Sequence, residues 1–370
     1  MRVVIAGGGV MGAATQYYLA KDHGIGAVVV DRCGLAAAAS GRAGGFLAKD
    51  WNDGSPTEAL TRASFDLHAQ LGAEFPDVDY RRLTCRAVAV SHTHQKSDNT
   101  AVEWVDAAAV RGQRAMGDES TIAQVHPRKL VEALSRRATE LASASVVKAT
   151  AVGLAYDDER VTGLRVLREN EETVIEADAV VLAMGPWTHV AGLPQNEKQC
   201  GLNGWNQKLP SVVGTKYHSV LLRSPRTLNT AVFFQGLGDP EVYPRPDGEV
   251  YVTGFPERAA VVQDLPGETP VLADVCDRLR HTVQQLAPGL RGVPVHAQQA
   301  CHLPSVPDGV PLVGEVPHEK PGAFVATGHG CWGILLAPAT GKALAHRIAT
   351  GAASPDIDLD PFSPRRFFAS

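Results

Sequence analysis

The chain opens on a β-branched run, Val3-Val4-Ile5, which passes through Ala6 into Gly7-Gly8-Gly9-Val10-Met11-Gly12. Ala13 to Lys21 is rich in helix formers, and Ala27-Val28-Val29-Val30-Asp31 is a second unbroken apolar run that ends on an acid. Apolar runs without alternation read as strands buried on both faces, so strand, glycine turn, helix and strand predict a βαβ unit. Residues 34–48 are small and glycine-rich and predict a loop. Helical spacing returns over Pro56–Leu71, with Ser55 or Thr57 as cap, and over Pro127–Ala142, with proline in the first turn. Short β-type runs follow at Val146–Val152, Val161–Leu167, Thr173–Ile175 and Ala179–Ala183, separated in part by polar turns at 157–160 and 169–172. They predict a meander that leads into a buried strand. Residues 211–256 predict further strands with a hairpin at Pro246-Asp247-Gly248, Leu272–Leu286 a helix, and Ala323–Thr327 a buried strand. Gly328-His329-Gly330-Cys331-Trp332-Gly333 then opens a last helix over Ile334–Ile348.

Composition narrows the classes. With 370 residues and 44% hydrophobic content the chain is long enough for a full core and for two domains. Its 35 basic residues against 40 acidic ones form no basic stripe, so no nucleic-acid partner is expected. The six cysteines, Cys33, Cys85, Cys200, Cys276, Cys301 and Cys331, form no CxxC pair, and reduced thiols in a cytoplasmic setting are the expectation. The first residues already read as a strand, which leaves no room for a presequence, and no apolar run reaches the ~20 residues of a membrane span. His92 and His94 sit in a polar stretch and read as solvated loop.

Gly7, Gly9 and Gly12 match GxGxxG at the junction of strand and helix. That spacing serves a tight turn, a close approach of backbone to a pyrophosphate, and packing of helix on strand. Helix N–H groups at Val10 and Met11 would meet the phosphates. Asp31 ends the second strand, where a carboxylate accepts hydrogen bonds from an adenosine ribose and repels a 2′-phosphate. Dinucleotide binding is therefore predicted and NADP disfavoured; the motif alone leaves FAD and NAD open.

The full set of motifs resembles the D-amino-acid-oxidase-like flavoenzymes, the family that includes glycine oxidase and monomeric sarcosine oxidase. The resemblance rests on Val3 to Ala20, Ala39-Ser40-Gly41-Arg42-Ala43-Gly44-Gly45-Phe46-Leu47, Val180 to Trp187, Tyr243-Pro244-Arg245-Pro246-Asp247-Gly248, Pro307 to Gly314 and Gly328 to Gly341, in family order. It implies an α/β fold: a Rossmann-type FAD-binding domain from residues 1–50, 120–195 and 296–370, with a mixed-sheet substrate domain from 51–119 and 196–295. It implies FAD as cofactor, wrapped by Ser40, Gly41, Arg42, Ala43, Gly44, Gly45 and Phe46, with Arg32, Val152, Met184, Gly185 and Trp187 beside it. Gly328, His329, Gly330, Cys331, Trp332, Gly333 and Ile334 would place a helix N-terminus at the flavin ring. The implied reaction is oxidation of an amine or amino-acid-like C–N bond by hydride transfer to flavin N5, with O2 reoxidising the flavin to give H2O2. Two other classes stay open: a flavoprotein with a mainly non-catalytic assembly or trafficking role, and a dehydrogenase with another electron acceptor.

The sequence departs from the family pattern in places. The family's carboxylate-binding arginine falls at Leu303, and a leucine cannot pair a carboxylate. Arg42, Lys49 or Lys216 would have to replace it. A substrate-facing tyrosine of glycine oxidase falls at Glu241, and Glu257 is expected at the same cavity. An acidic pocket favouring an amine without a free α-carboxylate follows, with Glu241, Glu257 and His218 as candidates for substrate placement. Cys301 stands six residues before Pro307, the spacing of the flavin-linking cysteine in monomeric sarcosine oxidase; a buried thiol is the alternative. Trp51 is expected at the entrance or in the core.

Overall fold

The computed structural model describes residues 1–91, 101–188, 209–262 and 264–368. His92, His94 and Cys200 lie outside the described residues. A six-stranded sheet runs in the order β18 (Leu312–Glu315), β19 (Ala323–Thr327), β12 (Ala179–Leu182), β1 (Val3–Ala6), β2 (Val28–Asp31), β8 (Ser145–Lys148). All neighbours are parallel except β18 with β19. The parity of the buried strands explains their unbroken apolar runs. Val3 and Ile5 face α1 (Val10–His23), α4 (Pro127–Ala142) and α6 (Gly333–Thr350), while Val4 and Ala6 face the opposite layer. That layer is an antiparallel meander of β9 (Thr150–Tyr156), β10 (Val161–Arg168) and β11 (Glu171–Glu176).

The run Val146–Val152 is two strands rather than one. β8 joins the parallel sheet beside β2, the chain turns at Ala149, and β9 joins the meander. Residues 34–48 are not all loop either: α2 (Ala39–Arg42) and β3 (Phe46–Ala48) lie within them. β3, β7 (Ile122–Gln124) and β4 (Arg81–Arg82) form a small sheet.

A seven-stranded sheet carries the second layer system, in the order β17 (Val295–Ser305), β13 (Val213–Arg223), β16 (Glu249–Gly254), β15 (Glu241–Pro244), β14 (Thr230–Gln235), β5 (Thr84–Val90), β6 (Val110–Gly117). β17 thus belongs to this sheet, although residues 296–305 were expected with the dinucleotide-binding segments. One face packs Val220, Leu222, Val250 and Val252 against Cys276, Leu279 and Val283 of α5 (Ala273–Leu286). The other face gathers Tyr243, Tyr251, Phe233 and Leu221 toward Phe46 and Trp332.

Candidate functional site

A cavity of about 400 Å³ crosses the carboxyl ends of β2, β1, β12 and β19, where ligands of parallel α/β sheets bind. Gly7, Asp31, Met184 and Thr327 line it from those strand ends.

The three glycines of the fingerprint have different duties. A Cβ on Gly7 would lie 2.2 Å from the Ala183 carbonyl oxygen, and its φ is +115°, a conformation costly for any other residue. A Cβ on Gly12 would lie 2.0 Å from the Gly7 carbonyl oxygen, so Gly12 lets α1 pack on the turn. Gly9 is open apart from Ser40 Oγ at 3.1 Å, and it lines the cavity with Val10 and Met11. The N-terminus of α1 therefore faces the cavity. Val10 N–H donates to Ser40 Oγ at 2.9 Å, which ties that end to α2.

Asp31 is held by backbone. One carboxylate oxygen accepts from Gly8 N at 2.7 Å; the other accepts from Cys33 N at 2.8 Å and Gly34 N at 2.9 Å. Burial raises its pKa, and those amides oppose the rise. Ala149, Thr150 and Val152 continue the wall here. The segment Asp264–Glu268, which the sequence analysis did not single out, adds Leu265 and Pro266. It is tied down by Trp187 Nε1 to Asp264 O (2.6 Å), Cys33 Sγ to Pro266 O (2.9 Å) and the Arg32–Glu268 ion pair (2.7 Å).

At the other end Gly330, Cys331, Gly333 and Ile334 line the cavity around the N-terminus of α6. Pro338 lies inside this helix and has no N–H for the Ile334 carbonyl. His68, on α3 (Glu58–Glu74), supplies one instead: its Nε2 lies 2.9 Å from Ile334 O, and only a protonated nitrogen can bond a carbonyl. Ser64, one turn earlier, accepts from Ala339 N at 3.1 Å. Burial lowers His68 to about 4, so the ring is neutral at pH 7. His329 also lines the cavity, and burial alone lowers it to about 3.

Several expected residues do not line the cavity. Gly41 abuts the Ala36 carbonyl, Gly45 the Val125 carbonyl, and a Cβ on Gly44 would lie 2.2 Å from the Tyr243 ring. These three are small for protein packing. Phe46 and Trp332 join an aromatic group outside the cavity wall, and Gly328 (φ +78°) turns the chain against Val306. Arg42 donates to Ala300 O at 2.6 Å, Lys49 pairs with Asp66 at 2.8 Å, and Lys216 approaches Glu257 at 3.6 Å. Leu303 is in the wall. Cys301 is buried two residues away on the same strand face, with its thiol pushed up to about 11 by burial against the pull of Arg42. The described cysteines are free thiols.

Glu241, Glu257 and His218 are not brought together. His218 shares a sheet face with Val220 and accepts from Leu272 N at 3.1 Å at the start of α5. Glu257 is exposed and lies 3.9 Å from His218 Nδ1, on that same far side. Glu241 lies on the opposite face, between Phe233 on β14 and Thr253 on β16, and accepts from Tyr243 Oη. Burial raises the Glu241 pKa. Its charge acts in turn on Tyr217 and on the Cys331 thiol of the cavity wall. No helix among the described residues is long and apolar enough to cross a membrane.

Comparison with known proteins agrees with this geometry. The sequence profile of the FAD dependent oxidoreductase (DAO) family matches residues 2–347. A Schizosaccharomyces pombe protein, named for oxidoreductase activity without a substrate, is 30% identical over 395 residues, covering 97% of each chain. Glycine oxidase of Pseudomonas putida is 28% identical over 98% of each chain. The crystal structure of glycine oxidase from Geobacillus kaustophilus superposes with a TM-score of 0.79 over 99% of each chain at 24% identity, a likeness of fold. The chain belongs to the DAO family of FAD-dependent oxidoreductases, with FAD as its cofactor.

Proposed function

We propose that the protein oxidises a small amine that lacks a free α-carboxylate, and that dioxygen is the final electron acceptor. The single observation that carries this reading is the residue at the arginine position, Leu303, in the cavity wall. The cavity wall has a leucine where the resemblance implies a carboxylate-binding arginine, and the Glu241 carboxylate acts on another residue of that wall, Cys331. The three cations that could replace the arginine are engaged elsewhere, Arg42 on Ala300 O, Lys49 on Asp66 and Lys216 near Glu257.

The cavity fits FAD in the chemistry of its donors. Gly9, Val10 and Met11 would hold the pyrophosphate at the N-terminus of α1, Asp31 the ribose hydroxyls, and Ala149 to Val152 the adenine. Met184, Gly185 and Trp187 also line the cavity wall. When bound, FAD supplies the two-electron acceptor for a hydride from the carbon beside the amine nitrogen. The N-terminus of α6 brings the positive end of a helix dipole to the reacting end, where it favours negative charge. His329 stays neutral there and adds no charge of its own. Glu241 would orient the amine. The discontinuous FAD-binding domain is part of this proposal, since the six-stranded sheet draws its strands from the start, middle and end of the chain.

Anaerobic mixing of the holoprotein with primary amines, secondary amines and amino acids tests the reading. Bleaching of the flavin by amines, and recovery in air with formation of H2O2, is the expected result. Rapid bleaching by glycine or D-alanine, with none by amines, refutes it.

A further inference from the structure

The turn at Asp264–Glu268 reaches the cavity from the other layer of the molecule. It follows β16 of the seven-stranded sheet and precedes α5, which packs on that sheet, yet Leu265 and Pro266 line the cavity at the ends of β1, β2 and β12. Its tip is preformed. Leu265-Pro266-Gly267-Glu268 is a type II β-turn: Glu268 N–H donates to Leu265 O at 2.9 Å, proline holds the second position, and Gly267 takes φ +86° at the third.

The side chains of this turn are arranged for a ligand rather than for the core. Leu265 is half-buried and joins none of the hydrophobic clusters among the described residues, so its apolar surface is left to whatever fills the cavity. What holds the turn is polar. Trp187, Cys33 and Arg32 reach it from the dinucleotide-binding side, and His302 Nε2 stands 3.3 Å from the Asp264 carboxylate. The Cys33 and Arg32 contacts are exposed to solvent. A segment held by exposed polar contacts opens at a lower free energy than the packed elements around it. The tip meets Cys33, two residues beyond Asp31, so it stands over the cavity end where Asp31 and Ala149 to Val152 would hold adenosine. We propose, resting on the placement of FAD described above, that Leu265 and Pro266 form a strap that closes over the adenosine half of the bound cofactor and sets how long the protein keeps it.

The rate of FAD loss from the holoprotein after dilution, read as the rise in flavin fluorescence, tests this. Leu265→Ala removes the apolar cover and should speed the loss about tenfold. Gly267 lies outside the cavity wall. A Cβ there would meet Cys33 Sγ at 2.7 Å, at a φ that side chains avoid, so Gly267→Ala should lift the tip and speed the loss about three- to tenfold. Both variants should keep the unfolding midpoint of the parent apoprotein, because neither position packs in a core cluster. Both should keep the flavin absorption spectrum of the parent holoprotein, because the turn stands at the opposite end of the cavity from α6. Loss at the parent rate in both variants overturns the proposal, and so does faster loss that comes with a lower apoprotein midpoint. Gly9→Ala separates the strap from the placement of FAD. If Gly9→Ala weakens FAD binding while both turn variants lose FAD at the parent rate, the strap alone is refuted. If Gly9→Ala binds FAD as the parent does, the placement falls and the strap falls with it.

Discussion

His68 offers a direct measurement of how the α6 end of the cavity is held. Its Nε2–H fills the place of the missing Pro338 N–H on Ile334 O, in the first turn of the helix that lines the cavity. His68→Leu leaves that buried carbonyl without a donor, a cost of about 1–3 kcal/mol. His68→Gln keeps a side-chain N–H and should recover most of it. The same pair of variants isolates a pH effect. The folded pKa of His68 is about 4, against 6.5 for the free group. A depressed histidine binds fewer protons folded than unfolded, so its contribution is present above pH 6.5 and lost as pH falls toward 4. A gap of roughly 2.5 pH units corresponds to about 3 kcal/mol, most of it lost between pH 7 and pH 4. Urea unfolding of the holoprotein in excess FAD, followed by circular dichroism at both pH values, gives the comparison. The parent should lose about 3 kcal/mol more than His68→Gln over that interval. His329 and His126 also have lowered values, but they are present in both proteins and cancel in the difference. Parallel stability–pH curves for parent and His68→Gln would refute the reasoning.

The remaining predictions follow from single contacts. Gly7→Ala and Gly12→Ala should destabilise the apoprotein, because each new Cβ meets a carbonyl oxygen at 2.2 and 2.0 Å; Gly9→Ala should leave the apoprotein intact and weaken FAD binding, as its neighbourhood is the open cavity. Equal unfolding midpoints for all three apoproteins would contradict this division of roles. Arg245→Met should cost about 3–5 kcal/mol, since it strands the buried Glu249 carboxylate and removes the bond to Ala43 O at 3.1 Å, and adding Glu249→Leu should recover part of the loss in urea unfolding. Acid precipitation of the holoprotein should release all flavin to the supernatant, because Cys301 is buried outside the cavity wall with its thiol pushed up to about 11; colour kept in the pellet would show a covalent link.

The parts of this fold that were legible in the sequence are those whose cause is local. The strand–glycine–helix–strand opening is written in adjacent residues, and α1, α4, α5 and α6 begin and end within a few residues of the predicted helices. The break at Ala149 was not legible, because it depends on β8 finding β2 while β9 finds β10. The glycines at 41, 44 and 45 carry a constraint of the same non-local kind: a Cβ there would meet Ala36, Tyr243 and Val125, and only the first is close in the chain. Parity bears on His218. It sits two residues before Val220, in a strand whose Val220 and Leu222 share the α5 face, so alternation sends Tyr217 and Ser219, not His218, toward the cavity side. Pro338 carries a signal of its own. A proline in the second turn of a predicted helix leaves a carbonyl that some other element must satisfy, and the fold answers with a histidine from α3. Glu241 is the contrary case, since its place in a family motif is legible in the sequence, and the structure adds its setting: a largely buried carboxylate beside Phe233 that accepts from Tyr243 Oη.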